Sequence, residues 1–445
     1  MTDLSHLRLD LIAALTVQED GLPELLHWAH LIPENPAGEY WLIMNPEEPR
    51  RLNINFLSFI AALEDEFAKK QKLRKMEAAD KAILLRVENN PRSDAETSLA
   101  ELAQLARTCG VEVFDAQIQY RPQPDPKYMM GKGKLSAIGL RATQIGANML
   151  IFDHEMTAAQ VRSINDFTGL KILDRTQVIL DIFARRAHSR EGKIQVELAQ
   201  LRYMLPRLSH LDISFSRLAG GIGGVGPGET KLEIDRRRIR QRIGHLEKDL
   251  KAITKSRRQR RGKRQKSDLP IISIVGYTNA GKSTLLNTLT KSSVLVEDKL
   301  FATLDTKSAR LRFPRDTEAI ITDTVGFIRN LPQELFAAFR ATLDELGDAD
   351  ILLHVIDISN NQFEEQISAV EKILEELNIQ GKPAIRVLNK ADRIDDKDLL
   401  QNLCRRFDAI AVSALDKTTL FGLLVKIESL LKDKHFSAPE FYAKQ

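Results

Sequence analysis

The chain is poor in the residues that staple secreted proteins and mark membrane ones. Cysteine occurs only twice among 445 residues, as Cys109 and Cys404. That excludes a disulfide framework or a cysteine metal cluster, and a reducing, cytoplasmic setting is expected. There is no run of about 18 apolar residues, so no membrane-spanning helix is expected. The opening MTDLSHLRLDLIAALTVQED lacks a basic n-region and a small-residue cleavage site, which argues against a signal peptide. Aromatic residues make up only 6%, and both tryptophans, Trp28 and Trp41, lie near the N-terminus. Charge of one sign is also missing in bulk, since the net charge is only +4. The remainder, 43% hydrophobic and 28% charged, is ordinary for a folded chain, and at roughly 100–200 residues per domain it predicts two to four domains.

Along the chain the pattern changes several times. Residues 1–78 read as a mostly helical extension without a chemical motif, with WLIMNP a candidate short strand. Over 79–190 the apolar runs AILLRV, VEVFDAQIQY, ANMLIFD and LKILD alternate with helical segments, which predicts a small parallel α/β domain. Residues 191–266 read as two helices. In the second, Leu232, Ile239, Ile243, Leu246, Leu250 and Ile253 recur at heptad spacing, a coiled-coil seam that needs a partner. The preceding helix is the nearest, so an antiparallel hairpin with a glycine-rich tip over 216–228 is expected. From 267 to 434, IISIVG, TEAIITDTVG, ILLHVID, PAIRVLNK and FDAIAVSA are strands between helices, the pattern of a doubly wound α/β domain. A short tail, 435–445, follows.

Chemistry concentrates in that last domain. GYTNAGKST, Gly276 to Thr284, has the G-x-x-x-x-G-K-[ST] spacing between a strand and a helix, the context of a phosphate-binding P-loop. Backbone N–H groups of Gly276, Tyr277, Thr278, Asn279, Ala280 and Gly281 can cradle phosphates at a helix N-terminus. Lys282 would reach the β- and γ-phosphates, and Ser283 would hold Mg²⁺. DTVG (Asp323, Thr324, Val325, Gly326) ends the next strand, where Asp323 can hold Mg²⁺ through water and the Gly326 N–H can meet the γ-phosphate. NKAD (Asn389, Lys390, Ala391, Asp392) ends a later strand. Asp392 can accept from the N1–H and 2-amino groups of guanine, and adenine has no N1–H, so GTP is preferred. In FATLD (Phe301, Ala302, Thr303, Leu304, Asp305), Thr303 is the candidate second Mg²⁺ ligand and otherwise an ordinary loop hydroxyl. VSA (Val412, Ser413, Ala414) stands where a guanine-contacting loop belongs. Lys282, Thr303 and Gly326 are the candidate catalytic groups.

Phe327 follows DTVG, where Ras-type enzymes use a water-orienting glutamine. Intrinsic hydrolysis should therefore be slow and completed by a partner or a cation. Asn279 either ligates K⁺ or only stabilises the turn, and both readings stay open.

The stretch GIGGVG, Gly221 to Gly226, fits G-x-G-x-x-G by letter, but no buried strand precedes it and a long basic helix follows. A dinucleotide site is rejected on that context. Gly221, Gly223 and Gly226 read instead as slender backbone at a hairpin tip, able to enter an RNA cavity. The following helix carries Arg236 and, toward its end, Arg257, Arg258, Arg260 and Arg261, a one-signed cluster suited to rRNA phosphates, though a solvated coiled-coil face has the same look.

Together GYTNAGKST, FATLD and DTVGFIRNLP, with GKGK, DRTQVILDIFARRA, REGKIQVELAQL and GPGETKLEIDRR, resemble the HflX family of TRAFAC-class GTPases over about Ala79 to Lys434. The resemblance implies an N-terminal α/β domain, a helical hairpin and a G domain. It also implies a monomer that binds the large ribosomal subunit and splits stalled or hibernating ribosomes. A ribosome-assembly GTPase on immature large subunits is an alternative. So is an ATP-dependent RNA-remodelling factor, although residues 1–266 hold no second P-loop. Where the family usually has FATLDPT, Thr306 and Lys307 here follow Asp305, and Val225 stands where the family tends to place arginine.

Overall fold

A computed structural model describes residues 11–32, 41–52, 54–64, 80–90, 94–208, 231–264, 269–290, 301, 307–313, 318–329 and 332–436. It forms two compact units, Met1–Arg175 and Thr176–Gln445.

The start of the first unit corrects the expectation of a mostly helical extension. Strands β1 (Leu11–Val17), β2 (Pro23–Leu31) and β3 (Trp41–Ile43) form an antiparallel meander. The apolar residues before and after Glu19–Gly21 mimic a helical stripe, but the turn decides. Gly21 adopts φ +83° and the Gln18 amide donates to Leu22 O at 2.9 Å, closing a hairpin. Trp28 and His30 then pack on Phe59, which lies in a helix over 56–64.

The rest of the unit is a four-stranded parallel sheet, order β5-β4-β6-β7, from β4 (Lys81–Glu88), β5 (Glu112–Tyr120), β6 (Met149–Phe152) and β7 (Lys171–Asp174). Its crossovers are α1 (Ala95–Thr108), α2 (Lys132–Ile145) and α3 (Ala158–Thr168). Helices on both faces demand strands without a polar side, and MLIF of β6 is buried throughout. Thr157 starts α3 with a capping box shared with Gln160.

At the carboxyl edge of this sheet the buried Asp153 accepts from Arg86, from Ser98 Oγ at 2.6 Å and from Arg175 at 2.8 Å. Arg175 also reaches Glu101 at 2.5 Å. Burial disfavours its charge, but Glu101 and Asp153 outweigh that and hold its pKa above the usual arginine value. Removing the shared negative charge leaves Arg86 with Glu88 and Arg175 with Glu101 as their ionic partners. Asp153→Asn is therefore expected to lower stability by about 1–3 kcal/mol, read from the unfolding of the full chain in urea.

The second unit opens with α4 (Arg175–Arg186), which begins at the boundary, and α5 (Arg190–Arg207). The long α6 (Lys231–Arg264) supplies Ile243, Leu246, Leu250 and Ile253 to a seam with Ile194, Leu198 and Leu201 of α5. Ion pairs flank it, Arg202–Glu247 at 2.6 Å and Arg242–Glu197 at 2.7 Å. The expected glycine tip, with Gly221, Gly223 and Gly226, lies outside the described residues, as do the side chains of Arg257, Arg258, Arg260 and Arg261.

A six-stranded sheet follows, order β13-β12-β11-β8-β10-β9. It comprises β8 (Ile271–Gly276), β9 (Lys307–Arg312), β10 (Glu318–Asp323), β11 (Ile351–Asp357), β12 (Ala384–Asn389) and β13 (Ala409–Ala411). All pairs are parallel except β9 with β10. The edge strand β9 escaped the sequence reading because KSARLR is too polar to show as a buried run, and only Leu311 within it is fully buried. One face of the sheet packs Ile272, Ile274, Leu353, Val355, Ile385 and Val387 against α7 (Lys282–Thr290) and α11 (Phe421–Phe436). The other carries α9 (Phe363–Glu376) and α10 (Lys397–Phe407), while α8 (Gln333–Leu343) packs on α5. The five parallel strands direct their carboxyl ends to one edge, and the candidate site lies there.

Candidate functional site

The P-loop leaves β8 at Gly276 and enters α7 at Lys282. Asn279 and Gly281 take left-handed φ values, +61° and +90°. A Cβ on Gly281 would stand 2.2 Å from Asn389 Nδ2, so the loop's second glycine also makes room for the NKAD asparagine. Lys282 is buried, and its Nζ donates to Gly276 O at 3.1 Å and Tyr277 O at 2.7 Å. Burial lowers its pKa to about 8, with the Asp323 carboxylate pulling the other way. Ser283 Oγ donates to Asp323 Oδ2 at 2.6 Å. Thr278 Oγ1 is buried with no hydrogen-bond partner among the described residues.

The DTVG loop is zipped onto the P-loop. Thr278 N donates to Phe327 O at 2.8 Å, and Phe327 N to Gly276 O at 3.1 Å. Tyr277 Oη accepts from the Arg329 amide at 2.7 Å. Gly326 approaches so closely that a Cβ would lie 2.9 Å from Lys282 Nζ. The strand-end motifs Asp323–Gly326 and the P-loop therefore meet as the spacing requires.

Asn389 joins three loops. Its Nδ2 donates to Ala280 O at 2.8 Å and its Oδ1 accepts from Ala414 N at 2.9 Å. The Ala391 amide donates to Val412 O at 3.1 Å, and Ser413 is buried. Asp392 is exposed in the short turn Ala391–Arg393. Of FATLD only Phe301 is described; Ala302, Thr303, Leu304 and Asp305 lie outside the described residues.

Three features were missed from sequence. Tyr277 ties the P-loop to the segment after DTVG through its hydroxyl. Phe301, at φ +55°, packs with its ring tilted 57° and 4.6 Å from that of Phe183 of α4, whose ring is 5.2 Å from Phe339 of α8. Asp357 holds Lys390 at 2.6 Å. Only the last left a usable signal, a carboxylate ending a buried strand, the same one that marked Asp323.

With the geometry in place, the likeness to known proteins is extensive. Three family descriptions match in series: "GTP-binding GTPase N-terminal" over 96–184, "GTP-binding GTPase Middle Region" over 186–264, and "50S ribosome-binding GTPase" over 271–390. The GTPase HflX of Caldanaerobacter subterraneus subsp. tengcongensis is 47% identical over 78% of this chain and 80% of its own length. The chain belongs to the HflX GTPase family. The Escherichia coli HflX is 44% identical over 72% of this chain and 75% of its own. A GTP-binding protein of the archaeon Sulfolobus solfataricus, solved with GDP, matches at 28% identity over 79% of this chain and 99% of its own, with a TM-score of 0.42. Like its HflX relatives, this is a GTP-binding protein. Among the described residues no helix is long and apolar enough to cross a membrane.

Proposed function

We propose that this HflX-family GTPase acts in the cytoplasm as a monomer on the large ribosomal subunit, splitting stalled or hibernating ribosomes. The observation that carries this reading is the packing of α5. It pairs with the basic α6 along one seam and also packs on α8, the helix that follows DTVG. A movement of DTVG on binding or releasing nucleotide thus has a direct mechanical route to the RNA-binding rod. The rod contributes Arg236, Arg257, Arg258, Arg260 and Arg261 to rRNA phosphates, and the tip contributes Gly221, Gly223 and Gly226.

In the GTP complex, the P-loop amides from Gly276 to Gly281 and the unpartnered Thr278 hydroxyl face the phosphates. Lys282 turns from its two backbone carbonyls toward them. The Ser283 hydroxyl and the Asp323 carboxylate are hard oxygen donors that fit Mg²⁺, with Thr303 completing the set. An Mg²⁺ ion held by these oxygens would neutralise charge that builds up on the phosphates. The Gly326 N–H meets the γ-phosphate, and Asp392 reads guanine with Val412, Ser413 and Ala414 closing the pocket.

Light scattering tests the ribosomal reading. Intact ribosomes mixed with the protein and GTP, or a non-hydrolysable analogue, are expected to lose scattering as subunits separate. Joint charge reversal of Arg257, Arg258, Arg260 and Arg261 is expected to abolish that loss while GDP binding persists. Unchanged scattering with either nucleotide sinks splitting and leaves assembly of immature large subunits as the role to pursue.

Asn279 sits exposed at the apex of the P-loop in a left-handed conformation, and Phe327 is buried against the loop and offers no polar group to an attacking water. Asn279 would hold a K⁺ ion there, which would supply the missing positive charge. Hydrolysis is expected to run about tenfold faster in K⁺ than in Na⁺, worth ~1.4 kcal/mol of barrier. Equal rates remove the ion from the mechanism.

A further inference from the structure

Lys390 bridges two strand ends. Its backbone takes a left-handed φ of 61° and ψ of 34° just after β12. Its side chain runs to the end of the neighbouring β11, where Nζ meets Asp357 Oδ2 at 2.6 Å. Asp357 and Asn389 are register partners, and β11 lies between β12 and β8. The lysine stem therefore crosses the carboxyl edge of the sheet from the base-reading loop toward the P-loop.

The pair is largely withdrawn from water, with side-chain exposures of 19% for Lys390 and 14% for Asp357. The carboxylate is itself fixed. Its Oδ1 accepts from Ser359 N at 3.0 Å and from Ser359 Oγ at 2.6 Å. Rotating Asp357 away would break all three contacts, so both ends of the Lys390 stem are held. A lysine ordered in advance loses little rotamer freedom when a ligand lands on it.

We propose that Asp357 is a positioning residue for nucleotide binding: it stretches the Lys390 stem into a flat apolar strip on which the purine ring of a guanine nucleotide rests. The inference builds on the reading of Asn389–Asp392 as the guanine site.

The test uses the full chain and fluorescent GDP and inosine diphosphate. Asp357→Asn keeps the shape of the side chain and removes its charge. It is expected to raise the dissociation constant about three- to tenfold, the ordering of one long side chain, and to do so equally for both nucleotides. Inosine lacks the 2-amino group that Asp392 reads, so an unchanged ratio separates a lost stacking strip from a disordered base loop. Ser359→Ala keeps the ion pair but loosens the carboxylate, and should give a smaller shift in the same direction. Lys390→Ala should weaken binding as well, and adding Asp357→Asn to it should cost nothing more. Wild-type affinity in Asp357→Asn overturns the proposal, as does a loss of GDP over inosine diphosphate selectivity or full additivity in the double variant. Failure of the guanine-site reading itself would show elsewhere, in an Asp392→Asn variant that keeps its guanine preference.

Discussion

Lys282→Met should reduce GTP hydrolysis by about 10²–10³-fold, the usual effect of removing one preorganised charge at a developing anion. In the structure the ammonium is already engaged. It satisfies the carbonyls of Gly276 and Tyr277, and Gly326 closes over it. Methionine fills the space but takes the ammonium away from both carbonyls, leaving Gly276 O with the Phe327 amide and Tyr277 O with the Ala280 amide. The variant's stability therefore shifts as well, and its kinetics should be read well below its melting temperature. A pH signature separates the two effects. Burial lowers the Lys282 pKa to about 8, whereas phosphate contact favours the charged form. Above pH 8, binding GDP must take up a proton, so affinity in the wild-type protein falls as pH rises from 8 toward 10. Folding has the opposite sign. The lysine's folded pKa lies below its unfolded value of 10.5, so its burial costs stability below pH 8 and that cost is relieved as pH rises between the two values. Lys282→Met should lose the pH dependence of GDP binding in that window. A variant that hydrolyses GTP at wild-type rate, or keeps the full alkaline fall in affinity, would remove Lys282 from the phosphate site.

How far the sequence revealed the fold and the site depends on the kind of signal. Buried parallel strands such as ILLHVID and MLIF are visible because both faces are apolar, and the P-loop because its glycines sit at backbone angles few residues adopt. The seam residues Ile243, Leu246, Leu250 and Ile253 were visible because a heptad repeats, and their partner followed from chain proximity. The meander at 11–43 was not visible. Its register depends on one tight turn at Gly21, and the apolar residues around that turn also fit a helical period. Nor was β9, whose place at the sheet edge asks little of its sequence beyond Leu311. The ties through the Tyr277 hydroxyl and the Phe183–Phe301–Phe339 rings were hidden for a different reason. They join residues far apart in the chain and follow no spacing, so only the folded chain brings them together.

Asp392→Asn should move nucleotide preference from guanine to xanthine. A carboxylate accepts from both N1–H and the 2-amino group of guanine, whereas xanthine carries an oxygen at that second position. The asparagine amide can accept from N1–H and donate to that oxygen, so each base matches one side chain and clashes with the other. Two hydrogen bonds to a charged acceptor, at about 1.5–3 kcal/mol each, set the expected loss of GDP affinity at about 10²–10⁴-fold, with xanthosine diphosphate gaining in turn. The exchange is local because Asp392 is exposed on a turn whose neighbours are already fixed: Asn389 to Ala280 and Ala414, and Ala391 to Val412. Nothing in that frame needs the carboxylate, so the fold should survive the change and the melting temperature should barely move. Competition between fluorescent GDP and xanthosine diphosphate reads the outcome directly. A variant that still prefers guanine would show that Asp392 does not read the base.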